Sequence, residues 1–366
     1  MTTNGHLLRA CSIWRATCGP SAREEAMPAL EAPAHRSCLP PQMPGSRKRV
    51  IFAEGHDLRI LRAIQGIVEA RSAIPIVVGQ EKDIRKRISE ANIGLRAGHD
   101  LEIVEPNDEF ECFDQWLAYS SAQQLKWSVP DLPLFIRDSR NTASAARLVA
   151  GSHADCVICG TSGEFAWHFV QLKETLASLQ RRTAGMLHLL FAHNRLLCLS
   201  DVLIDGDANP SQLAEVAVTA AQHVSAIGAR PKIALCLDRC GKDISSQGDR
   251  LHAAAQIVKT MAAEIDVDGP VALKDAMGVM SGRRAQGTST SYNVLVFSRA
   301  GIATTVRDVL RSNSDWSEFG PLLLGTENRA HIVTPEISSE ALIDMAAFAG
   351  KRLDEAIPAV GSTGHK

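Results

Sequence analysis

The chain has 366 residues, 45% of them hydrophobic, and sets 39 Lys and Arg against 41 Asp and Glu for a formal charge of −2. That size suits two medium domains, each with its own core, since domains commonly hold ~100–200 residues. The near-balanced charge excludes a broadly cationic surface for nucleic acid or an anionic membrane, and no apolar run reaches the ~18 residues of a membrane-spanning helix.

Residues 1–46 hold prolines at 20, 28, 33, 40, 41 and 44 and no acid before Glu24. With no helical or strand period they read as a disordered arm, and residues 353–366 as a flexible tail. Arg9, Arg15 and Arg23 lend the arm a faint transit-peptide character, which its prolines oppose. The nine cysteines are an odd number whose core members fall in apolar runs, which fits reduced, buried thiols in a cytoplasmic setting. Cys156 and Cys159 have redox-motif spacing, but a strand turns their side chains to opposite faces. Cys236 and Cys240 lack a second pair at zinc spacing, so no metal site is expected.

The first domain opens with an apolar strand, Arg49 to Ala53, a turn from Glu54 to Asp57, and a helix from Leu58 to Ala70 with Leu61, Ile64 and Val68 at helical spacing. A strand from Ile74 to Val78 ending at Gly79 completes a βαβ unit, and such units imply a parallel sheet. On physics alone, Glu54, Asp57 and Arg59 read as an N-cap and a surface ion pair. A helix over 82–90, a strand from Leu101 to Val104 and a helix from Phe110 to Gln124 continue the alternation. Phe113, Trp116 and Leu117 on that last helix read as core, and Lys126 to Asp138, with Pro130 and Pro133, as a loop.

Thr142 then reads as the cap of a short helix ended by Gly151, followed by a buried strand from Ala154 to Cys159. Gly160, Thr161, Ser162 and Gly163 come next, and a helix from Trp167 to Leu179 follows. Two glycines permit close backbone approach and two hydroxyls can donate to an anion, the layout of a substrate loop at the carboxyl end of a strand.

In the second domain Thr183 to Leu190 and Leu196 to Ser200 read as strands, Asp201 to Pro210 as a polar turn, and Ser211 to Ile227 as a helix with Leu213, Val216, Ala220 and Val224 inward. Strands follow at Lys232 to Leu237 and Asn293 to Phe297.

The run Arg140, Asn141, Thr142, then Ala154, Asp155, Cys159, Gly160, Thr161, Gly163, Phe165, Trp167 and His168 resembles the phosphate acetyl/butyryl transferase family, most closely the version at the C-terminus of NADP-dependent malic enzymes. The opening Phe52-Ala53-Glu54-Gly55 with Asp57 and Arg59 is similar to the first motif of that family. The likeness extends with gaps over roughly Arg47 to Ala349. It implies two three-layer α/β domains of the isocitrate/isopropylmalate dehydrogenase type with an interdomain cleft. The expected boundaries are 47–185 plus 325–352 for one domain and 186–324 for the other.

The resemblance also implies the chemistry: acyl transfer between CoA and phosphate, with acyl-CoA and phosphate or acyl phosphate as partners, no further cofactor, and a homo-oligomer. Active members carry a Ser, an Arg and an Asp in S-R-G-C-S-x-x-D, which hold the phosphate and oxyanion and take the proton from the CoA thiol. Here Thr334 keeps a hydroxyl, while Pro335 and Ala341 replace the Arg and the Asp. Glu340 is the candidate substitute base, and His168 and His331 are further candidates. The family loop S-F-S-T-K-G-S corresponds to Leu237 to Asp243, where Asp238 and Asp243 would repel a pyrophosphate. P-D-L-D-A-G-N corresponds to Ser298 to Thr304, where Arg299 is the candidate phosphate ligand. Three readings remain open: an acyl-CoA binder with weak or lost transfer, a working acyltransferase with a relocated base, and a regulatory or interaction module related to malic enzymes.

Overall fold

A computed structural model describes residues 47–106, 132–192, 195–204, 206–238, 243–278, 292–313, 316–351 and 353. The expected N-terminal arm, the helix from Phe110 to Gln124 and the tail beyond 353 lie outside these residues. The described chain divides into two compact units, one of residues 47–182 with 320–351 and one of residues 183–319.

The first unit runs β1 (Arg49–Phe52), α1 (Leu58–Ala70), β2 (Ile74–Val78), α2 (Glu81–Glu90), β3 (Glu102–Val104), α3 (Leu132–Ala150), β4 (Cys156–Cys159), α4 (Phe165–Thr175) and α5 (Ala177–Arg181). The second holds β5 (Gly185–Ala192), β6 (Arg195–Val202), α6 (Pro210–Ala226), β7 (Lys232–Leu237), α7 (Asp243–Met261), β8 (Asp266–Ala272), α8 (Leu273–Gly278), β9 (Val294–Phe297), α9 (Ile302–Asn313) and the start of β10 (Ser317–Leu324), which passes into the first unit at Gly320. The chain then returns to the first unit with β11 (Ala330–Ile332) and α10 (Ser339–Phe348).

The first sheet has the order β11-β4-β1-β2-β3 with every pair parallel. Its central strands read as unbroken apolar runs because helices cover a parallel sheet on both faces. Val50, Ile51, Phe52, Val157 and Ile158 are accordingly all fully buried. The second sheet has the order β10-β5-β6-β9-β7-β8, with β5 and β6 antiparallel and β6-β9, β9-β7 and β7-β8 parallel. Leu190, Leu199, Leu295 and Phe297 form one core there with Ala234 and Ala303. Both units are α/β, the fold class expected.

Several boundaries differ from the sequence reading, each for a physical reason. The segment read as a loop up to Asp138 is helical from Leu132, because Pro133 falls in the first turn, where no N–H is needed. Thr142 therefore lies inside α3 rather than capping a helix, and its hydroxyl reaches His168 at 2.8 Å. The helix expected from Trp167 to Leu179 breaks at Leu176, whose backbone is extended at φ −93 and ψ 112. The α6 helix begins at Pro210, one residue before Ser211. Asn209 accepts from Gln212 N at 3.0 Å and Gln212 Oε1 accepts from Asn209 N at 3.0 Å, a capping box.

Candidate functional site

The carboxyl end of β4 opens directly into the Gly160–Gly163 turn. Gly160 has φ 100 and Gly163 φ 78, both in the left-handed half of backbone space. A Cβ on Gly160 would lie 2.5 Å from the carbonyl oxygen of Val333, so this position requires glycine twice over. The crowding arises because β11 runs alongside, with Val333 N donating to the carbonyl of Cys159 at 2.7 Å. Thr334 comes immediately after.

Under the turn lies Glu54, fully buried at the end of β1. Gly160 N donates to one of its oxygens at 3.0 Å and the Thr161 hydroxyl to the other at 3.3 Å. Burial, helped by the charge of Asp138, pushes this carboxyl up to about 8 against the pull of those donors. Glu54 is therefore an interior acid that keeps its proton near neutrality, not part of a surface ion pair.

His168, also fully buried, completes the layer. Its Nε2 lies 2.7 Å from the carbonyl oxygen of Ser162, which can only accept, so Nε2 carries the hydrogen. Burial lowers the basicity of the ring, which leaves Nδ1 bare to accept from the Thr142 hydroxyl, with Glu54 3.7 Å away. Asp138, its side chain inaccessible, accepts from the Ser162 hydroxyl at 3.0 Å and from Arg137 Nε at 2.8 Å. The hydroxyls of Thr161 and Ser162, the amide of Gly160 and the carbonyl of Ser162 are thus tied to Glu54, α3 and α4.

Arg59 ties the turn to the segment after β11. Its guanidinium takes Asp57 at 2.6 Å and 3.1 Å, and the carbonyls of Thr161 at 2.7 Å and Ile337 at 3.3 Å, and also donates to the carbonyl of Pro335. Ser339 Oγ donates to the carbonyl of Arg59 at 3.0 Å. Asp57 meanwhile N-caps α1 through Arg59 N, as expected.

Gly160, Thr161, Ser162, Gly163 and Thr334 are thus brought to one edge of the first sheet. Thr334 is half-buried, and Glu340, also half-buried, follows Ser339 in the first turn of α10. His331 sits elsewhere in role: it is fully buried, accepts from Leu323 N at 3.2 Å and donates to Asn328 Oδ1 at 2.8 Å. Arg299 belongs to the second unit, half-buried in the turn after β9. Beside it Ser298 donates to Asp238 at 3.0 Å and accepts from Gln247 at 3.0 Å. Asp238 is thus held by its own neighbours.

Sequence reasoning gave no site role to Glu54, Asp138 or Arg137. The available signal was a carboxylate directly after an unbroken apolar strand, where solvation is poor. Among the described residues no group of three His, Cys, Asp or Glu is placed to hold a metal ion, and no helix is long and apolar enough to cross a membrane.

Two α/β units, the first with a glycine-hydroxyl turn at the carboxyl end of a parallel strand, place the chain among the two-unit α/β proteins. The sequence profile of the phosphate acetyl/butaryl transferase family matches residues 39–350, and the chain belongs to that family. It is 28% identical over 312 residues to the NAD-dependent malic enzyme of Rhizobium meliloti, covering 83% of this chain and 40% of that protein. It is 21% identical over 315 residues to the phosphate acetyltransferase of Clostridium acetobutylicum, covering 82% of this chain and 93% of that one. The chain thus spans about two fifths of the malic enzyme it matches and nearly all of the acetyltransferase. A phosphotransacetylase from Streptococcus pyogenes has the same fold, with a TM-score of 0.65 at 19% identity over 84% of this chain and 94% of that one.

Proposed function

We propose that this chain binds acetyl-CoA or a related acyl-CoA on the family scaffold, with acyl transfer between CoA and phosphate weak or lost. One observation carries the reading. Pro335 and Ala341 stand where the family pattern has its Arg and Asp, and the guanidinium that lies against Pro335, that of Arg59, has its donors engaged by Asp57, Thr161, Pro335 and Ile337. Arg59 therefore has no donor left for a phosphate. Loss of a general base costs ~10²–10⁴ in rate, and loss of an oxyanion clamp another ~10²–10³.

Two measurements test this. Calorimetric titration with acetyl-CoA is expected to show one saturable site per chain, with a matching rise in apparent melting temperature. Thiol release from acetyl-CoA and phosphate is expected at background. Absence of binding overturns the proposal, and robust turnover overturns the loss of transfer. If turnover occurs and Glu340→Gln abolishes it, Glu340 is the relocated base acting with Thr334.

The match to two fifths of a malic enzyme favours a second reading, a regulatory module whose acyl-CoA site reports to a partner. We also place the protein in the cytoplasm as a homo-oligomer, and light scattering of the purified chain tests the latter.

A further inference from the structure

Outside the network under the turn, α2 and α3 frame a pocket of about 450 Å³ at the carboxyl ends of β1 and β2. That is the size of a small-molecule site, in the part of an open α/β sheet where ligands bind. Lys86, Arg87, Arg137 and Arg140 line it against Asp83 and Glu90, four cations to two acids. Lys86 is paired with Glu90 at 3.7 Å and Arg137 with the inaccessible Asp138 at 2.8 Å. Arg87 has no ion-pair partner among the described residues. His56, also on the wall, reports the local potential: burial lowers its basicity, and the charges of Arg137 and Arg87 lower it further while Asp138 and Asp57 oppose them.

We infer that this pocket binds a small phosphate-bearing anion, received by Arg87 and flanked by Arg137 and Arg140, each of which also has a partner of its own. Guanidinium groups present forked donors that match phosphate oxygens, and several together suit a multiply charged anion better than a lone carboxylate. Arg137 also lies 3.5 Å from the Ser162 hydroxyl, so an anion here would sit one side chain away from the Gly160–Gly163 turn. The inference is independent of acyl-CoA binding at that turn.

The test is calorimetric titration of the full chain with inorganic pyrophosphate, without acetyl-CoA. One saturable site is expected. Arg87→Glu should weaken it by at least ~10-fold, because a charge-assisted contact becomes a repulsion. Lys82→Glu, the same charge change on the same exposed helix but off the pocket wall, should stay within ~2-fold of wild type, since screening confines charge effects to short range. Arg87→Gln covers the case in which the reversal perturbs folding. No saturable binding, or equal losses in the Lys82 and Arg87 variants, overturns the assignment. A repeat with saturating CoA identifies the source. Persistence of pyrophosphate binding points to a free anion, and displacement that requires Arg87 points to phosphates carried by CoA. Because the first titration contains no CoA, it stands whether or not acyl-CoA binds.

Discussion

Arg59 Nη2 donates both to the carbonyl of Thr161 at 2.7 Å and to the carboxylate of Asp57 at 2.6 Å. One guanidinium thereby links the turns after β1 and β4 with the segment after β11. Arg59→Lys keeps the charge but not the fork, and is expected to lower unfolding free energy by ~1–3 kcal/mol, given what hydrogen bonds to charged groups contribute. Urea denaturation followed by circular dichroism measures it, and an unchanged midpoint would mean the fork contributes nothing.

Gly160→Ala should be more damaging. The substitution combines a positive φ with a Cβ 2.5 Å from a backbone oxygen that belongs to the neighbouring chain segment and cannot swing away. Strain at such a position costs ~1–3 kcal/mol before the clash is counted. Gly163→Ala, whose Cβ would meet side-chain atoms of Asp138, His168 and Trp167 at 3.0 Å each, is expected to cost less. Thermal melts of the pair give the order.

Glu54 makes stability depend on pH in an unusual direction. Its carboxyl titrates near 8 in the fold and near 4.5 in the unfolded chain. Between those values the folded state holds a proton that the unfolded state has released, so this group's contribution is complete below about pH 4.5 and declines as pH rises through about 8. Glu54→Gln, isosteric and always neutral, should flatten that decline. The check is the difference in unfolding free energy between variant and wild type from pH 5 to pH 9, which should move in favour of the variant.

Thr142→Val removes the hydroxyl that donates to His168 Nδ1 and leaves a fully buried ring nitrogen without that donor. The expected cost is ~1–3 kcal/mol with no change in the denaturant slope, because the exposed surface is unaltered. A cost below a few tenths would show that Glu54 takes over the contact.

Much of the first unit was legible because its signals are local. The apolar runs of β1, β2 and β4, the Asp57 cap and the Gly160–Gly163 turn can each be read from a few adjacent residues. What escaped depends on distant partners. Thr142 reads as a cap because its type favours caps, and only His168, 26 residues on, shows why it sits inside a helix. His331 reads as a ligand until Asn328 and the Leu323 backbone are seen to occupy both of its nitrogens. Glu54 follows a buried strand, yet its inward course is fixed by donors from Gly160 and Thr161, over a hundred residues away.

The edge strand β11 has a consequence for how the molecule is made. It pairs with β4 through Ala330 beside Val157 and Ile332 beside Cys159, while α10 packs on α1. During synthesis the ribosome must deliver the whole second unit before these pieces emerge, so the portion begun first is finished last. Until then β4 has a bare side and the glycine turn lacks its neighbour. A nascent chain halted before Ala330 should consequently be a client for chaperones and an easy protease substrate, and one halted well past Phe348 should not.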